Sequence, residues 1–322
     1  MTKRPTVIPV SRVDQLAASV LDGLRRTPKE LSPVWFYDEY GSTLFDSICE
    51  LPEYYLTRTE LGIMQEHAAE MAQIIGPQAA LIEFGSGTSL KTRLLLDHLV
   101  APAAYVPVDI AREHLIEAAN TLARDYPAVR IFPVCADFTA PFELPKQLQD
   151  AQRRVVYFPG STLGNFSRDQ ARAVLQRMRE IVGDTGAVLI GIDLQKDPDV
   201  LRAAYNDSAG VTAQFNLNAL RHINRELGTK FDLTAFEHDA VWNEEQGRIE
   251  MHLISKRDQV VDVSGTPIRF SRGEHLRTEY CHKYTQAGFE SLAASARLTS
   301  TRVWTDAEKK FSVQLLEPVR VQ

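Results

Sequence analysis

The sequence contains few of the residues that build metal centres or disulfide frameworks. Its three cysteines, Cys49, Cys135 and Cys281, are widely separated and odd in number, which argues against a disulfide framework and against a four-ligand zinc site. The eight histidines show no His-Glu-x-x-His or comparable ligand spacing. We therefore expect reduced cysteines and a function that requires no metal.

Long apolar runs and long basic runs are also missing. No apolar segment approaches the roughly 20 residues that span a bilayer, and the first residues carry positive charge without an apolar segment or a cleavage site. We therefore predict a cytoplasmic protein without a membrane partner. A net charge of -6 without a basic cluster disfavours nucleic acid and favours a small-molecule substrate. Nothing in the sequence demands assembly, so we predict a monomer.

Apolar strands alternate with amphipathic helices through the middle of the chain. We expect strands at 80–84, 104–110, 129–135, 155–158 and 187–194, and helices at 59–75, 91–99, 112–126 and 168–182. Strands that alternate with helices of this length imply right-handed crossovers and a parallel sheet with both faces covered. The predicted fold class is therefore α/β, with a Rossmann-like doubly wound sheet.

The alternation ends after residue 194. Residues 197–227 have a mostly helical pattern, and 241–257 and 259–270 resemble strands that need not belong to the parallel sheet. Residues 290–319 are expected to return and close that sheet. We therefore predict a Rossmann-like domain at 60–194 plus 284–322, and a second, inserted domain at 8–59 plus 195–283.

The segment 81–92 resembles a buried strand that breaks into a glycine turn and then opens a helix. Gly85 and Gly87 lack a Cβ, so a ligand can lie almost against the backbone at the start of the helix. A dinucleotide-binding turn requires a third glycine where Leu90 stands, which weakens a nicotinamide interpretation and favours S-adenosylmethionine. Glu83 suits a cofactor that carries an ammonium and a sulfonium better than one that carries a pyrophosphate.

Acidic residues follow the next two strands, at the edge where a doubly wound sheet binds its ligands. Asp109 comes near the spacing of about 20 residues from the glycine turn that is expected for an acid that holds ribose hydroxyls. The alternative for Asp109 is a helix N-cap. Asp137 can accept from an adenine amino group while Phe138 covers the ring, and the alternative is a turn aspartate beside a core phenylalanine.

Three further polar residues complete the candidate site. Ser86 lies inside the glycine turn, and Lys91, just after it, can donate to the carboxylate of the cofactor. The alternative for Lys91 is a solvated surface lysine. Asn165 follows the fourth strand, where a methyl acceptor should lie, and its amide either holds the substrate or caps the next helix.

Many short motifs are spread over nearly the whole chain. Besides the glycine turn they lie at 35–38, 41–42, 44–46, 51–55, 57–60, 160–162, 164–165, 204–205, 209–213, 224–227, 231–233, 235–238, 248–251 and 278–279. Together they resemble the ergothioneine-pathway L-histidine Nα-methyltransferases. Members of that family make hercynine, the trimethylated betaine of histidine, with S-adenosylmethionine as the methyl donor.

The resemblance implies a class I S-adenosylmethionine-dependent methyltransferase fold, in which the inserted domain binds the substrate. It implies that four polar residues surround the amino and carboxylate groups of L-histidine, of which the first three are also catalytic: Tyr37, Tyr54, Asn165 and Tyr205. It also implies that Met251 and Glu279 lie near the imidazole. The expected reaction is direct methyl transfer that leaves S-adenosylhomocysteine.

The chain departs from this family at Cys281, where members commonly have a serine next to the imidazole. A thiol is a weaker hydrogen-bond donor and acceptor than a hydroxyl, so one contact to the substrate side chain is weakened. The alternative function is therefore a betaine-forming N-methyltransferase for another amino acid, such as tyrosine or tryptophan. A non-catalytic binding module and a nicotinamide oxidoreductase are the more distant alternatives.

Overall fold

The computed structural model describes residues 12–86 and 90–319, which divide into two compact units. The α/β unit comprises Tyr55–Lys196 and the chain from Cys281 onward. The smaller unit comprises the chain up to Tyr54 together with Asp197–Tyr280. The predicted boundaries, after residues 59, 194 and 283, lie a few residues from these divisions. The substrate-binding role of the second domain stays a prediction.

The α-helices and β-strands of the described residues are numbered separately, each in chain order. The α-helices are α1 (Arg12–Leu24), α2 (Glu39–Glu50), α3 (Tyr55–Ile75), α4 (Leu90–Leu96), α5 (Arg112–Asp125), α6 (Arg168–Val182), α7 (Pro198–Tyr205), α8 (Val211–Leu227) and α9 (Gln286–Ser295). The strands are β1 (Lys29–Glu30), β2 (Ala79–Phe84), β3 (Ala104–Asp109), β4 (Val134–Cys135), β5 (Arg153–Phe158), β6 (Ala187–Asp193), β7 (Phe236–Asn243), β8 (Arg248–Ser255), β9 (Gln259–Val263), β10 (Thr266–Phe270), β11 (His275–His282), β12 (Leu298–Thr305) and β13 (Phe311–Pro318).

The α/β unit is built on a seven-stranded sheet in the order β12-β13-β6-β5-β2-β3-β4. The strands β2 to β6 are parallel to one another, as predicted. In contrast, β13 runs antiparallel to both β6 and β12, which corrects the prediction of a wholly parallel sheet. The short link at 306–310 explains the difference, because a tight connection joins antiparallel strands whereas a parallel pair needs a long crossover.

Each face of this sheet packs against its own layer of helices. Alternate residues of a strand point to opposite faces, so Ile82 and Phe84 of β2 belong to one buried cluster and Leu81 to another. The first cluster includes residues of α6 and α9, and the second includes residues of α3 and α4. Both faces are therefore covered, which confirms the doubly wound α/β architecture.

The strand predicted at 129–135 is much shorter in the structure. Only Val134–Cys135 forms β4, at the edge of the sheet, and Ile131 makes an isolated bridge to Tyr105. Pro133 lies between these two pairings. Proline has no backbone N–H to donate to a neighbouring strand, so the ladder is interrupted there.

The smaller unit contains a four-stranded sheet in the order β1-β11-β8-β7 and a separate hairpin of β9 and β10. The predicted strand at 241–257 is wrong, because the structure divides this region between the antiparallel strands β7 and β8. The predicted strand at 259–270 is likewise a hairpin. Its two turn residues, Ser264 (φ 50°) and Gly265 (φ 80°), both have the positive φ that tight two-residue hairpin turns use.

Candidate active site

The glycine turn follows the carboxyl end of β2 in the middle of the sheet. Gly85 has a φ of 70° and nothing within 4 Å of the position that a Cβ would occupy. Its N–H donates to the backbone oxygen of Val108 (2.9 Å), which ties the turn to the end of β3. Ser86 is buried beside it, whereas Gly87 lies outside the described residues. The turn therefore offers an open backbone surface at Gly85, where the positive φ favours glycine.

Glu83 is a buried acid beneath this turn, with 2% of its surface exposed. Its carboxylate accepts hydrogen bonds from the hydroxyl of Thr92 (2.6 Å) and from the hydroxyl of Tyr105. Burial raises the pKa of Glu83 to about 7, although both hydroxyl donors oppose the shift. The carboxylate thus links the strands β2 and β3 to the helix α4.

This buried acid predicts a dependence of stability on pH. Because the pKa of Glu83 is about 7 in the folded protein against an ordinary 4.5, the folded state retains a proton that the unfolded chain releases. The free energy of unfolding should therefore fall as the pH rises from 4.5 to 7, by about 3 kcal/mol from this residue. In denaturant titrations, Glu83→Gln should lose this component, so its stability relative to wild type should rise over that pH range. A stability difference that is constant with pH would contradict the assignment.

Lys91 forms an ion pair with Glu60, a buried residue of α3. The backbone N–H of Gly160 also lies 3.0 Å from Oε2 of Glu60. One carboxylate therefore connects α3, the first turn of α4 and the loop after β5. The solvated-lysine alternative does not describe Lys91, because only 18% of its side chain is exposed. Sequence reasoning missed Glu60, although it lies in the 57–60 motif.

Asp109 and Asp137 each use one carboxylate oxygen to stabilise the turn that follows their strand. Oδ1 of Asp109 accepts from the N–H of Ala111 (2.8 Å), and Oδ1 of Asp137 accepts from the N–H of Thr139 (2.8 Å). Ala111 is the N-cap of α5, so the N-cap alternative for Asp109 is wrong. Within the described part of the chain, the structure shows no hydrogen bond to the second oxygen of either carboxylate.

Phe138 packs at the same edge of the sheet. Its ring stacks on Phe84 with centroids 5.1 Å apart, and it meets Phe158 and Phe166 edge to face. The side chain is only partly buried. Both sequence interpretations therefore remain compatible with the structure, since a ring can extend the core and still offer surface to a ligand.

Asn165 ends a short helical turn after β5 and is half-buried. It does not cap the helix α6. That role belongs to Ser167, which forms a capping box with Gln170. The structure therefore removes the capping alternative for Asn165.

The loop that carries Asn165 approaches the end of β11 very closely. A Cβ on Gly164 would lie 2.9 Å from Sγ of Cys281 and 2.6 Å from the backbone oxygen of His282. Only glycine permits this approach. Within the α/β unit the structure therefore brings the Asn165 loop and Cys281 together.

Cys281 is 3% exposed and accepts a hydrogen bond from the ammonium of Lys283 (3.3 Å). Lys283 also pairs with the buried carboxylate of Asp193 (2.7 Å). Burial alone would lower the pKa of Lys283, but the nearby Asp193, Cys281 and Tyr55 raise it well above its usual range. The thiol of Cys281 therefore lies beside the ammonium of Lys283, which stays charged. This contact was not predicted from the sequence.

Three predicted substrate residues of the smaller unit are joined by aromatic contacts. Tyr37 meets Phe45 (centroids 6.0 Å apart), Phe45 meets Tyr54 (6.3 Å), and Tyr54 meets Tyr205 (6.2 Å). Phe215 of α8 packs on both Tyr37 and Phe45. We call these five residues the aromatic row. Phe45 and Phe215 were missed by the sequence reasoning, although Phe45 lies in the 44–46 motif.

Met251 and Glu279 lie on β8 and β11, which are neighbours in the four-stranded sheet. Met251 is buried and Glu279 is half-buried. The hydroxyl of Thr278, directly before Glu279, lies 3.1 Å from the backbone oxygen of Met251. The structure therefore places both residues on adjoining strands of the smaller unit.

The predicted site residues can be grouped by unit. Five lie in the smaller unit: Tyr37, Tyr54, Tyr205, Met251 and Glu279. The others that the structure describes lie in the α/β unit: Gly85, Ser86, Lys91, Asp109, Asp137, Phe138, Asn165 and Cys281. Residues 12–86 and 90–319 contain no cluster of three or more His, Cys, Asp or Glu side chains that could hold a metal ion.

Comparison with known proteins identifies the family. A model described as "Histidine-specific methyltransferase, SAM-dependent" matches residues 16–318. The chain belongs to this family. It is 40% identical to a histidine N-alpha-methyltransferase from Mycolicibacterium smegmatis over 310 residues, which is 95% of each protein. It is 33% identical to ergothioneine biosynthesis protein 1 of Neurospora crassa, over 91% of this chain and 34% of the fungal protein.

Among solved structures, the CcbJ methyltransferase from Streptomyces caelestis has a TM-score of 0.48 and 14% identity, over 80% of this chain and 95% of that one. The family membership confirms the predicted fold class and the predicted resemblance. It also makes the protein an S-adenosylmethionine-dependent amino-acid N-methyltransferase. The binding-module and nicotinamide alternatives are therefore wrong. In the described residues, no helix is both long enough and apolar enough to cross a membrane.

The residues at the carboxyl edge of the seven-stranded sheet fit S-adenosylmethionine in their chemistry. The open backbone at Gly85 allows close approach of a ligand. Asp109 and Asp137 each have one carboxylate oxygen that accepts no hydrogen bond from the described residues, and Lys91 places an ammonium, paired with Glu60, beside the turn. These groups match the ribose, the adenine and the carboxylate of S-adenosylmethionine in chemical character.

Proposed function

We propose that this protein transfers three methyl groups to the α-nitrogen of L-histidine and forms hercynine, the first step of ergothioneine biosynthesis. The observation that carries the proposal is the aromatic row, because it joins Tyr37, Tyr54 and Tyr205 in the unit that also holds Glu279. Ring faces and phenol oxygens suit an amine that ends as a fixed cation. A carboxylate suits a side chain with an N–H donor.

The substrate residues fall into two groups in this proposal, one for the amino and carboxylate groups and one for the imidazole. Tyr54, Tyr205 and the amide of Asn165 hold the amino and carboxylate groups of the amino acid. Met251 packs on the imidazole, and Glu279 accepts from its N–H. Because an imidazole N–H that is buried without an acceptor is costly, the carboxylate of Glu279 makes the site suitable for a histidine side chain.

The cofactor residues of the proposal are those around the carboxyl edge of the sheet: Gly85, Ser86, Gly87, Lys91, Asp109, Asp137 and Phe138. S-adenosylmethionine supplies a methyl group on a positively charged sulfur. The chain's own task is to position the two reactants and to exclude water from them.

The α-amine must lose a proton before each methyl group can be added. Every pKa unit by which the ammonium must be made more acidic costs about 1.4 kcal/mol. Tyr37 and Tyr54 are the catalytic candidates for this step together with Asn165, since a phenol can accept and pass on a proton within a hydrogen-bonded chain. No strong base is needed when the proton leaves through such a relay.

Product analysis by mass spectrometry tests the proposal directly. Purified protein with S-adenosylmethionine and an equimolar pool of all amino acids should yield trimethylated histidine as the main product. The monomethylated and dimethylated forms should appear first and then decline. Predominant trimethylation of tyrosine or tryptophan would overturn the histidine assignment and support the alternative substrate, which the thiol of Cys281 motivates.

A cytoplasmic location and a monomeric state belong to the same proposal. The location is supported by the cysteines, because none of the three forms a disulfide and one of them, Cys135, is exposed. A reducing compartment suits such a composition.

A further inference from the structure

Several polar residues of the family motifs have no role in the proposed chemistry. Among them are His238, from the 235–238 motif, and Thr278, from the 278–279 motif. Both make side-chain hydrogen bonds to Asn216 of α8, which is fully buried. Asn216 therefore joins a helix to two strands of the smaller unit.

The partners of His238 determine its tautomer. Nε2 of His238 lies 2.8 Å from the backbone oxygen of Tyr205, and a carbonyl oxygen can only accept. Nε2 therefore carries the hydrogen. Burial lowers the pKa of His238, so the ring is neutral and Nδ1 is an acceptor.

The orientation of the Asn216 amide follows from that tautomer. Its Nδ2 lies 2.8 Å from Nδ1 of His238 and 3.0 Å from the backbone oxygen of His252, so both of its hydrogens have acceptors. Its Oδ1 then accepts from the hydroxyl of Thr278 (2.7 Å). The orientation of the amide is therefore fixed, because a reversed amide would place Oδ1 against two acceptors, Nδ1 of His238 and the backbone oxygen of His252.

The chain of bonds ends at Tyr205 and directly beside two further residues of the proposed substrate site, Met251 and Glu279. His238 holds the carbonyl of Tyr205 at the end of α7. Thr278, whose one hydroxyl hydrogen goes to Asn216, directly precedes Glu279, and Nδ2 of Asn216 donates to the backbone oxygen of His252, directly after Met251. We infer that Asn216 and His238 are positioning residues, which hold Tyr205, Met251 and Glu279 in the arrangement that binds the amino-acid substrate. This inference rests on the proposed function.

The test uses Asn→Asp variants, which keep the size of the side chain and exchange the amide donor for an acceptor. Asn216→Asp replaces the two Nδ2–H donors by an acceptor that faces two acceptors. We expect its KM for L-histidine to rise by about tenfold or more, while the Kd for S-adenosylmethionine stays within twofold of wild type. The cofactor residues lie in the other unit, so positioning of the substrate site should not affect them.

A matched control is available on the same helix. Asn224 also bridges backbone groups, because its Nδ2 donates to the oxygen of Phe231 and its Oδ1 accepts from the N–H of Phe231. None of these bonds reaches the three substrate residues. Asn224→Asp should therefore lower the midpoint of thermal unfolding and leave the KM for histidine unchanged.

A second pair keeps the test informative if Asn216→Asp does not fold. Thr278→Val removes the hydroxyl at constant shape and should raise the KM, whereas Thr278→Ser retains the hydroxyl and should restore it. An unchanged KM in Thr278→Val, or a parallel loss of cofactor affinity, would overturn the inference. Wild-type protein that methylates a different amino acid would instead count against the proposed function. The same variants should then raise the KM for that other amino acid.

Discussion

Glu279→Ala is expected to lower kcat/KM for L-histidine by about 100-fold or more, while the Kd for S-adenosylmethionine stays within about twofold of wild type. The reason is that the imidazole N–H would be buried without an acceptor, and a buried donor that loses its partner carries the full cost of its desolvation. Steady-state kinetics with varied histidine, together with calorimetric titration of the cofactor, measures both quantities.

Glu279→Gln is the matched control, since its amide oxygen can still accept from the imidazole. It should retain more activity than the alanine variant. The loss in Glu279→Ala should also be smaller for an amino acid whose side chain has no N–H. Equal losses of histidine and cofactor affinity would show that Glu279 has a structural role instead.

Asp193→Leu is expected to destabilise the protein by about 3–5 kcal/mol, because the carboxylate is fully buried between two ammonium groups. It pairs with Lys196 (2.6 Å) and with Lys283 (2.7 Å), and it accepts from the hydroxyl of Tyr55 (2.8 Å to Oδ2). Removing it leaves both cations without a counter-charge. Differential scanning calorimetry should show the transition falling by on the order of 10 °C.

The double variant Asp193→Leu with Lys283→Met is the control. It removes Lys283, whose side chain is fully buried. Lys196 remains, but burial already lowers its pKa to about 8, so that lysine can become neutral. Replacing a buried ion pair by apolar residues of similar volume is often neutral, so the double variant should recover much of the lost stability. A double variant less stable than Asp193→Leu would contradict this account.

The network around Asp193 also anchors the α/β unit at each of the three points where the chain enters or leaves that unit. Tyr55, Lys196 and Cys281 are the residues at which the chain enters or leaves the α/β unit. The first two bind Asp193 directly, and Cys281 is bound through Lys283. Three segments that are distant in sequence are therefore anchored at one buried carboxylate.

Local sequence patterns were sufficient for the parallel part of the sheet and for the glycine turn. Strands such as β2 and β6 are apolar apart from one buried acid each because both faces are covered, and Gly85 is required where the chain turns with a positive φ. The same patterns did not show the antiparallel direction of β13 or the hairpins within 241–257 and 259–270. The apolar periodicity of a strand shows which of its faces is buried. It carries no information on the direction of the neighbouring strand.

The sequence by itself determined the family and the class of cofactor, and it predicted the residues of the site, since these depend on motifs whose members are close in the chain or recur at known spacings. Only the tertiary structure decided which of those residues act on one another. Glu60 beside Lys91, Asn216 beside His238, and Lys283 beside Cys281 and Asp193 are cases in point. Ion pairs and hydrogen bonds depend on distances of about 3 Å in space. Except where partners are near neighbours in sequence, as Lys283 and Cys281 are, folding alone brings them to that distance.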